Sequence, residues 1–537
     1  MNRKLLWASL VSLWLISGSL FVLLFLIAYV VEWQEFSLLW WIIWVIIINT
    51  LMWLIAPRFQ DLMQRRLYRM HWTTYEEFAK SAPKAAQMLQ TLSHQYNIAL
   101  PKLWIINDKN PTAFTYWSGP WNGRIIISQW MFEYCNDEEI AAVMAHEFGH
   151  IKHWDIAIMT LASTLLQIIF MIYRYARRAS QTNTRNKKNP FPLIAAIAYI
   201  FYQIWQFILL YLSRVREYMA DKFAAQHTDA NALASALIKL AYGVISNESD
   251  EWVARATMQL WLVNIDQSKA VSMIYHDGNI DWQTLGKIAL YDLYNPWAWL
   301  FELMSTHPVT WKRLEALMQY TTRPILDFAE LRARFPLDKA RMHRVVWSDI
   351  KAFIVPPIFW LLLSVLLVSI VWFSWLSLIW MVLIVWGSLL TAIAMRKFGD
   401  TNNEVTTIRA LMEDPYVSPF RGKSVSIDGE VIGRWMPWYV FSEDVVVQDT
   451  TWLIYVDHQW MFGWLSNLLF SLSQVKKLIG QQVTARGWFI RHQKSMLVLQ
   501  TLKVHATQKT INAYNKLYAY APACILIIVW VLLLVVV

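Results

Sequence analysis

The sequence predicts an α-helical multi-pass membrane protein with two domains outside the bilayer, the second of them all-β. Three observations carry this prediction: long windows without a charged residue, a histidine–glutamate motif on a predicted helix, and alternating strands between about 400 and 510. The composition agrees, because hydrophobic residues make up 57% of the 537 residues and charged residues only 16%. Soluble globular domains carry about 25% charged residues.

The apolar windows locate the membrane segments, since a spanning helix needs about 18 or more residues without charge. The first window begins after MNRK and is too long for the apolar core of a signal peptide, so we expect it to remain as an anchor. The windows lack Asp, Glu, Lys and Arg, which disfavours a transporter with ionisable groups at mid-membrane. The predicted spans are residues 5–31, 37–56, 156–173, 192–213, 352–373 and 374–395, and a shorter one at 521–537.

The net charge of +10 is compatible with either nucleic acid or a membrane surface as partner. The cations cluster beside the apolar windows, in RFQDLMQRRLYR, YRYARR and MRK, which is typical of membrane anchoring. We therefore expect the lipid bilayer as a partner and no nucleic acid. The only cysteines are Cys135 and Cys524, so no disulfide framework is predicted, which fits a reducing compartment.

Charge asymmetry orients the chain across the membrane. The loop VEWQEF between the first two spans is short and acidic, whereas four arginines follow the second span, between Arg58 and Arg69. By the positive-inside rule, the segment from 57 to 155 faces the cytoplasm. The loop YRYARRASQTNTRNKKN carries six cations and lies outside if both flanking spans cross completely. A hairpin that does not fully cross is the alternative.

The segment VMAHEFGHIKHWD lies on a predicted helix. Asn136 and Glu139 form a capping-box pattern, so we expect this helix to begin at Asp137. If the helix runs straight from His150 to Arg174, it is roughly 36 Å long at 1.5 Å per residue, which is enough to cross the hydrocarbon core. One helix would then carry both the motif and the third span.

The motif itself has the pattern H-E-x-x-H. His146 and His150 lie one turn apart on one helix face, where two imidazoles can bind one zinc ion. Glu147 lies beside them, in position to hold a water molecule and take its proton. The pattern alone arises by chance in roughly one chain of this length in twenty, and the alternative is a pair of partly exposed histidines. The zinc interpretation therefore needs a third ligand.

A candidate third ligand lies in LSRVREYMADKFAAQHT, after the fourth span. Glu217 completes a set of two nitrogens and one oxygen and leaves the open position that a catalytic zinc ion needs. Asp221 would accept the free N–H of a ligand histidine and fix its tautomer. Taken alone, both are ordinary carboxylates on a helix surface. The third and fourth spans join the two motifs, however, so the membrane hairpin brings them together into one site with one zinc ion per chain.

The segments NDEEIAAVMAHEFGHIKHWDIAIMTLA and SRVREYMAD resemble the HtpX-type and CAAX prenyl protease family of integral-membrane zinc endopeptidases. The resemblance covers about residues 57 to 320. It implies a zincin-type (gluzincin) α+β catalytic domain in which His146, His150 and Glu217 bind zinc. It also implies that Glu147 is the catalytic base.

Two further segments match the family. Asp155 corresponds to a family aspartate five residues after the second histidine, and STHPVTWKRLEAL corresponds to a His-Pro motif that places His307 and Arg313. Pro308 suits the first position of a helix, so we expect His307 at its N-cap. We interpret His307 as a donor to the oxyanion of the tetrahedral intermediate, with a capping role alone as the alternative.

The sequence departs from the family in the edge strand ahead of the motif helix. The family usually has Asn-Ala-Phe, and this chain has Thr112, Ala113 and Phe114. The strand backbone can still pair with an extended peptide substrate. Threonine keeps a hydroxyl but lacks the amide, so a contact made by the asparagine amide is not expected here.

The composition changes after residue 400. Five stretches alternate apolar and polar residues: SVSIDGEVIGR, EDVVVQDT, WLIYVDH, QVTARGWFIR and SMLVLQTLKVH. They predict a small, OB-like β-barrel, with WMFGWLSNLLFSLSQVKKLIG as an amphipathic insertion near the membrane. The expected domains are a membrane hairpin at 1–56, a metallopeptidase domain at 57–350 that includes the hairpin 156–213, a membrane hairpin at 351–396, a β-rich domain at 397–515 and a membrane helix at 516–537.

The motifs and the resemblance together predict a zinc-dependent membrane endopeptidase at the cytoplasmic membrane surface, favoured in a bacterial inner membrane. The expected substrates are damaged or misassembled membrane proteins, with prenylated peptides as the alternative. A metal-binding membrane scaffold without turnover is the alternative class. An intramembrane site-2-type protease is disfavoured, because the sequence has no LDG motif and NDEEIAAVMA places the start of the motif helix in water. The sequence leaves the oligomeric state undetermined.

Overall fold

The fold is described from a computed structural model. The chain forms two compact units, Met1–Ile280 with Leu300–Asp327, and Asp281–Trp299 with Phe328–Val537. We expected the metallopeptidase domain to extend to residue 350, and the domain limits from the sequence stay a prediction. The structure describes residues 38–68, 71–106, 113–129, 131–182, 190–243, 275–276, 279–280, 282–360, 362, 386–387, 389–399, 402–434, 444–459, 474–491, 495–513, 515–517, 519–521, 524–526 and 528.

Helices dominate the first unit and alternate with short strands. The described residues also include a 3-10 turn at Pro120–Asn122 and a π-turn at Ile350–Ile354. In chain order, the helices are α1 (Leu38–Tyr68), α2 (Tyr75–Ser81), α3 (Pro83–Tyr96), α4 (Met131–Tyr134), α5 (Asp137–Lys152), α6 (Asp155–Thr182), α7 (Phe191–His227), α8 (Ala230–Gly243), α9 (Trp282–Tyr294), α10 (Pro296–Leu303), α11 (Thr310–Met318), α12 (Phe328–Arg334), α13 (Lys339–Asp349), α14 (Ile408–Glu413) and α15 (Lys476–Leu478).

The strands form one sheet and one two-stranded ribbon in the first unit, and a larger sheet in the second. The first sheet holds β1 to β4, the ribbon holds β5 and β6, and the larger sheet holds β7 to β13. Their bounds are β1 (His71–Thr73), β2 (Lys102–Ile106), β3 (Ala113–Tyr116), β4 (Arg124–Ser128), β5 (Tyr275–His276), β6 (Asn279–Ile280), β7 (Glu404–Val405), β8 (Lys423–Arg434), β9 (Val445–Gln448), β10 (Leu453–Asp457), β11 (Gln482–Ile490), β12 (Met496–Val504) and β13 (Thr510–Asn512).

The sheet of the first unit has the strand order β1–β2–β4–β3. Strands β2 and β4 are parallel, and the two outer strands pair antiparallel. The run Ile125–Ile126–Ile127 is fully buried, as expected for a strand covered on both faces. Helix α5 packs against β3 and β4. Strand β3 therefore lies at the sheet edge, next to the helix that carries the motif.

Three helices in the described part of the chain are long and apolar enough to cross a membrane: Trp40–Phe59, Asp155–Ser180 and Phe191–His227. They contain most of the predicted span 37–56 and all of the spans 156–173 and 192–213, so the prediction of long apolar helices is confirmed there. The predicted span 5–31 lies outside the described residues, as do most residues of 352–373, 374–395 and 521–537.

Helices α6 and α7 pack against each other as a pair. The Nε1–H of Trp205 donates to the carbonyl of Ala162 at 3.1 Å, and the rings of Phe170 and Tyr202 lie 5.2 Å apart between centroids. This pairing brings the start of α6 and the end of α7 to the same region. As the sequence predicts, the two motifs at these ends are thereby joined.

The motif helix ends before the membrane segment begins. Helix α5 ends at Lys152, and the backbone N–H groups of His153 and Trp154 close its last turn. Trp154 has a φ of 59°, a left-handed conformation that bulky residues rarely adopt. One continuous helix from His150 to Arg174 is therefore a wrong expectation, because the chain turns at Trp154 before α6 begins.

The second unit contains a closed ring of five strands. Strand β8 pairs with β9 and β11, β9 with β10, β11 with β12, and β10 returns to pair with β12. These are the five strands predicted from the alternating pattern, so a C-terminal β-barrel is confirmed. Strand β11 bulges at Gly487, where a Cβ would lie 2.2 Å from the carbonyl of Val498. Of the predicted insertion, residues 460–473 lie outside the described part.

Helix α9 belongs with the barrel because a buried arginine joins them. The guanidinium of Arg491, after β11, stacks 4.1 Å above the ring of Tyr291 and donates to the carbonyl of Ile288. The hydroxyl of Tyr291 donates in return to the carbonyl of Arg491 at 2.9 Å. These contacts explain why a segment ahead of the His-Pro motif folds with the C-terminal unit.

Candidate metal centre

The motif helix α5 begins as the sequence predicts. The Asn136 side chain accepts from the Glu139 backbone N–H at 2.9 Å, and the Glu139 carboxylate accepts from the Asn136 N–H at 2.8 Å. Ser235 and Lys239 of α8 also bind the Glu139 carboxylate, at 2.6 and 2.8 Å. The N-terminus of the helix is thus fixed on both sides, and the following residues through Ile151 are buried.

Three donor atoms converge on one point of this buried helix. The Nε2 atoms of His146 and His150 lie 3.0 Å apart. The carboxylate of Glu217, on α7, lies 3.7 Å from each of these nitrogens. The three ligand atoms lie within 4.8 Å of one another, and the three residues are buried. The structure therefore brings the three predicted ligands together.

Gly149 allows α7 to approach the motif helix closely. A Cβ at this position would lie 3.3 Å from the Cα of Ala220 and 3.2 Å from Cδ1 of Phe223. Since Ala220 lies between Glu217 and Asp221, this contact sets the distance between the two motifs. The glycine between the histidines thus determines whether the third donor reaches the first two.

A carboxylate orients each histidine from the side opposite its Nε2. Asp221 Oδ1 lies 2.9 Å from His146 Nδ1, and Asp155 Oδ2 lies 2.5 Å from His150 Nδ1. Each carboxylate accepts from Nδ1–H and so leaves the lone pair on Nε2 for a metal ion. Asp221 and Asp155 therefore have the positions that the sequence interpretation requires, and their roles stay proposals.

Two arginines accompany these carboxylates. Arg313, on α11, donates to Asp221 through Nε at 2.7 Å and Nη2 at 2.6 Å, and its Nη1 lies 3.3 Å from Glu217 Oε2. Arg216 Nε lies 3.1 Å from Asp155 Oδ1. The carboxylates of Asp221 and Glu217 raise the pKa of Arg313 above its usual value, although burial opposes them. Arg313 thus stays charged.

The charge balance of the cluster fits a divalent cation. Within the described residues, four buried carboxylates meet two guanidinium groups. With all four carboxylates ionised and both imidazoles neutral, the form that can bind a metal ion, two negative charges are left uncompensated. Buried charges are costly unless they are paired or coordinate a metal ion. The carboxylates belong to Glu147, Asp155, Glu217 and Asp221, and the guanidinium groups to Arg216 and Arg313.

The protonation of the cluster follows from its burial. Burial, reinforced by the charge of Glu217, raises the pKa of Glu147 to about 7. Burial also lowers the pKa of His146, against the contrary effect of Asp221. For His150, burial is outweighed by the hydrogen bond to Asp155 and the neighbouring carboxylates, which raise its pKa. A carboxylate with a pKa near neutrality suits reversible proton transfer.

His307 is buried in the site but does not cap the helix that follows. Helix α11 begins at Thr310 with Val309 at its N-cap, so the expectation that His307 occupies the N-cap is wrong. The His307 N–H donates to Ser305 Oγ at 3.3 Å, and the ring Nδ1 lies 3.5 Å from Glu217 Oε1. A turn held by side chains, rather than a helix end, therefore presents the imidazole to the cluster.

A second group of buried side chains holds that turn. Nη1 of Arg214 donates to the carbonyls of Glu302, Leu303 and Ser305, at 2.8, 3.2 and 2.8 Å. The Glu302 carboxylate accepts from the Val309 N–H at 3.1 Å and forms an ion pair with Lys312. Neither Arg214 nor Glu302 was identified from the sequence, and neither were Arg216 and Gly149. Their only signal in the sequence is that charged residues and a glycine lie inside predicted helices rich in apolar residues.

The predicted substrate-binding strand packs against the helix that carries the two histidines. Ala113 and Phe114 begin the edge strand β3, and both side chains are buried. At the end of the strand, Tyr116 donates to Asp61 of α1 at 2.7 Å, and Arg124 binds the same carboxylate. Thr112 lies outside the described residues. The edge that the sequence predicts is thus present for the two described residues.

This fold and this site define a metallopeptidase associated with apolar, membrane-type helices. Residues 79–321 match the sequence profile of Peptidase family M48. A curated "Protease HtpX homolog" of Methanothermobacter thermautotrophicus is 31% identical over 191 residues, which are 35% of this chain and 68% of the relative. The chain belongs to Peptidase family M48, with the HtpX-type proteases that its motifs resemble.

The chain is also similar to two other curated relatives and to one solved structure. The "Protease HtpX homolog" of Dictyoglomus turgidum is 30% identical over 210 residues, 38% of this chain and 66% of the relative. That of Burkholderia multivorans is 28% identical over 266 residues, 49% of this chain and 81% of the relative. Among solved structures, the chain is similar to S. mikatae Ste24p, at 21% identity and a TM-score of 0.36, over 57% of this chain and 67% of that chain.

Proposed function

We propose that this protein is a zinc-dependent endopeptidase that cleaves membrane proteins at the cytoplasmic surface. The proposal rests on two buried histidines, His146 and His150, whose Nε2 atoms converge with the carboxylate of Glu217. Glu147 lies between these histidines in the sequence, on the same helix. Two nitrogens bound tetrahedrally to one zinc ion are about 3.3 Å apart. The histidine nitrogens, at 3.0 Å, need little movement to reach that spacing.

The donor set supports zinc as the metal and hydrolysis as the reaction. Two neutral imidazoles and one carboxylate match catalytic zinc sites, which keep one position open. One zinc ion held by His146, His150 and Glu217 would polarise the scissile carbonyl and acidify the attacking water. Asp221 and Asp155 keep both Nδ1 atoms protonated, so that each Nε2 stays available.

Glu147, His307 and strand β3 have the remaining roles, which are proton transfer, oxyanion stabilisation and substrate binding. Glu147 accepts a proton from the attacking water and then donates it to the leaving amine, because its pKa near 7 permits both steps. His307 donates a hydrogen bond to the developing oxyanion, an interaction worth about 3 kcal/mol in related oxyanion sites. The backbone of β3 pairs with the substrate as an added strand.

The membrane arrangement follows from the apolar helices and the charge pattern. The 26 residues Asp155–Ser180 span about 39 Å at 1.5 Å per residue, more than the hydrocarbon core requires. We assign the chain as a multi-pass protein of a bacterial inner membrane, with the site on the cytoplasmic side by the positive-inside rule. The five-stranded ring of the second unit supports an OB-like barrel.

Purified full-length protein in lipid vesicles tests this function. Glu147→Gln should retain zinc, measured by elemental analysis, and cleave an unfolded protein substrate about a hundredfold to ten-thousandfold more slowly, the range for a lost acid–base group. Glu217→Ala, the matched control, should lose both zinc and activity. Cleavage by Glu147→Gln near the wild-type rate contradicts the mechanism. A zinc-loaded wild type that cleaves nothing favours the scaffold, and cleavage confined to prenylated peptides favours the alternative substrate.

A further inference from the structure

Two exposed tryptophans lie beside each other where the first unit adjoins its apolar helix α6. Trp121, between β3 and β4, is 59% exposed, and Trp154, directly before α6, is 41% exposed. Their rings meet edge to face, with centroids 5.7 Å apart. Large apolar rings at the surface of a protein mark contact surfaces more often than chance. The proposed catalysis uses neither ring.

The backbone around both rings is specialised to present them. Trp154 adopts a φ of 59°, which glycine or asparagine would adopt with less strain. A Cβ at Gly119 would lie 2.3 Å from the ring of Trp121, so the ring occupies space that only a glycine leaves free. At neither position does the local backbone favour tryptophan. The presence of tryptophan is therefore explained by its side chain.

The exposed rings continue into the apolar surface of α6. Ile158, Leu161 and Leu165 are 41%, 63% and 40% exposed and follow the spacing of one helix face. This helix is one of the segments long and apolar enough to cross a membrane. A tryptophan at the end of such a segment lies at the level of the lipid headgroups, where its ring is buried and its N–H stays wet.

We propose that Trp121 and Trp154 form an interfacial anchor that inserts into the headgroup region of the bilayer. Trp121 follows Tyr116, the last residue of β3, by five positions, so the anchor holds the edge strand at the membrane surface. Resting on the proposed peptidase function, this placement defines the substrate class as extended segments of membrane-bound proteins at the interface. Soluble peptides would gain nothing from the anchor.

Photo-crosslinking tests the contact with lipid without requiring activity. The full chain carries benzoylphenylalanine in place of Trp121 and is reconstituted into vesicles of phosphatidylethanolamine and phosphatidylglycerol. We expect a crosslink to lipid from position 121 and none from position 320, where Tyr320 is 46% exposed after the end of α11. A crosslink at position 121 to added substrate protein, or to nothing, overturns the anchor.

Kinetics test its consequence for substrate choice. Trp121→Ser should raise the KM for a lipid-tethered peptide roughly tenfold, which corresponds to losing about 1.4 kcal/mol of ring burial. Its kcat, and its cleavage of the same peptide without the tether, should not change. Trp121→Tyr should behave like wild type, and Gly119→Ala, which displaces the ring, should behave like Trp121→Ser. Equal KM values in all variants overturn the anchor, whereas loss of activity in Glu147→Gln would still uphold the peptidase.

Discussion

Replacing Arg313 with methionine tests whether the buried charges hold the site together. Arg313 is 1% exposed, donates twice to Asp221 and approaches Glu217. Methionine fills a similar volume but leaves both carboxylates without this cation. Removing one partner of a buried ion pair costs about 3–5 kcal/mol, because the other charge stays desolvated. His146, 2.9 Å from Asp221, offsets only part of this loss.

The assay is the apparent Tm of the full chain in detergent, with and without zinc. Each kcal/mol shifts Tm by about 2–4 °C in a domain of 150–250 residues, so Arg313→Met should lower the Tm by about 6–20 °C. Zinc should recover part of the shift, because a ligand that binds only the folded state adds about 4 kcal/mol at a thousandfold excess over its Kd.

Two control variants separate charge from packing. Arg313→Lys keeps the charge but loses the two-pronged contact with Asp221, so its Tm should lie between those of wild type and Arg313→Met. Asp221→Leu combined with Arg313→Met removes the pair and should be more stable than Arg313→Met alone. An Arg313→Met Tm equal to that of wild type, or strictly additive effects in the double variant, would refute the reasoning.

Three further predictions concern the approach of the helices, the His307 turn and the topology. Gly149→Val should lower the zinc content and destabilise the protein by about 1–3 kcal/mol, because the valine side chain forces α7 away from α5. A zinc content equal to that of wild type contradicts this prediction. Arg214→Ala should keep its zinc but lower kcat by up to about a hundredfold with little change in KM, as His307 loses its position; an unchanged kcat excludes this role. In a background without cysteines, Ser180→Cys should react with a membrane-impermeant reagent added from outside. Gln90→Cys, on α3, should not react. Labelling of position 180 only after permeabilisation indicates a hairpin that does not cross the membrane.

Local signals in the sequence predicted the parts of the site that local physics determines. The capping box at Asn136 and Glu139 gives the first residue of the motif helix, because its hydrogen bonds join residues three apart. The spacing of His146 and His150 places both rings on one face for the same reason. Period-two patterning located the five strands of the barrel, because alternation is a local signal; the first residues of β11 alternate in burial accordingly.

Contacts between distant segments could not be predicted in the same way. The N-cap expected at His307 failed because the chain there follows Ser305 and Arg214 rather than the preference of Pro308 for a helix start. The continuous helix expected beyond His150 failed because its last turn closes at Trp154. The His307 turn depends on Arg214, far away in the sequence, which no local pattern contains.

Helix α7 links the membrane segment to the chemistry of the site. Arg214, Glu217 and Asp221 follow the three- and four-residue spacing of one helix face. Arg214 binds the turn ahead of His307, Glu217 faces the two motif histidines, and Asp221 binds Arg313. The same unbroken helix begins in the apolar segment at Phe191. Three parts of the site depend on the rotation of helix α7 about its axis and on its depth in the membrane. A disturbance of the membrane segment therefore affects all three parts at once. Correct insertion of α7 is thus a condition for assembling the site.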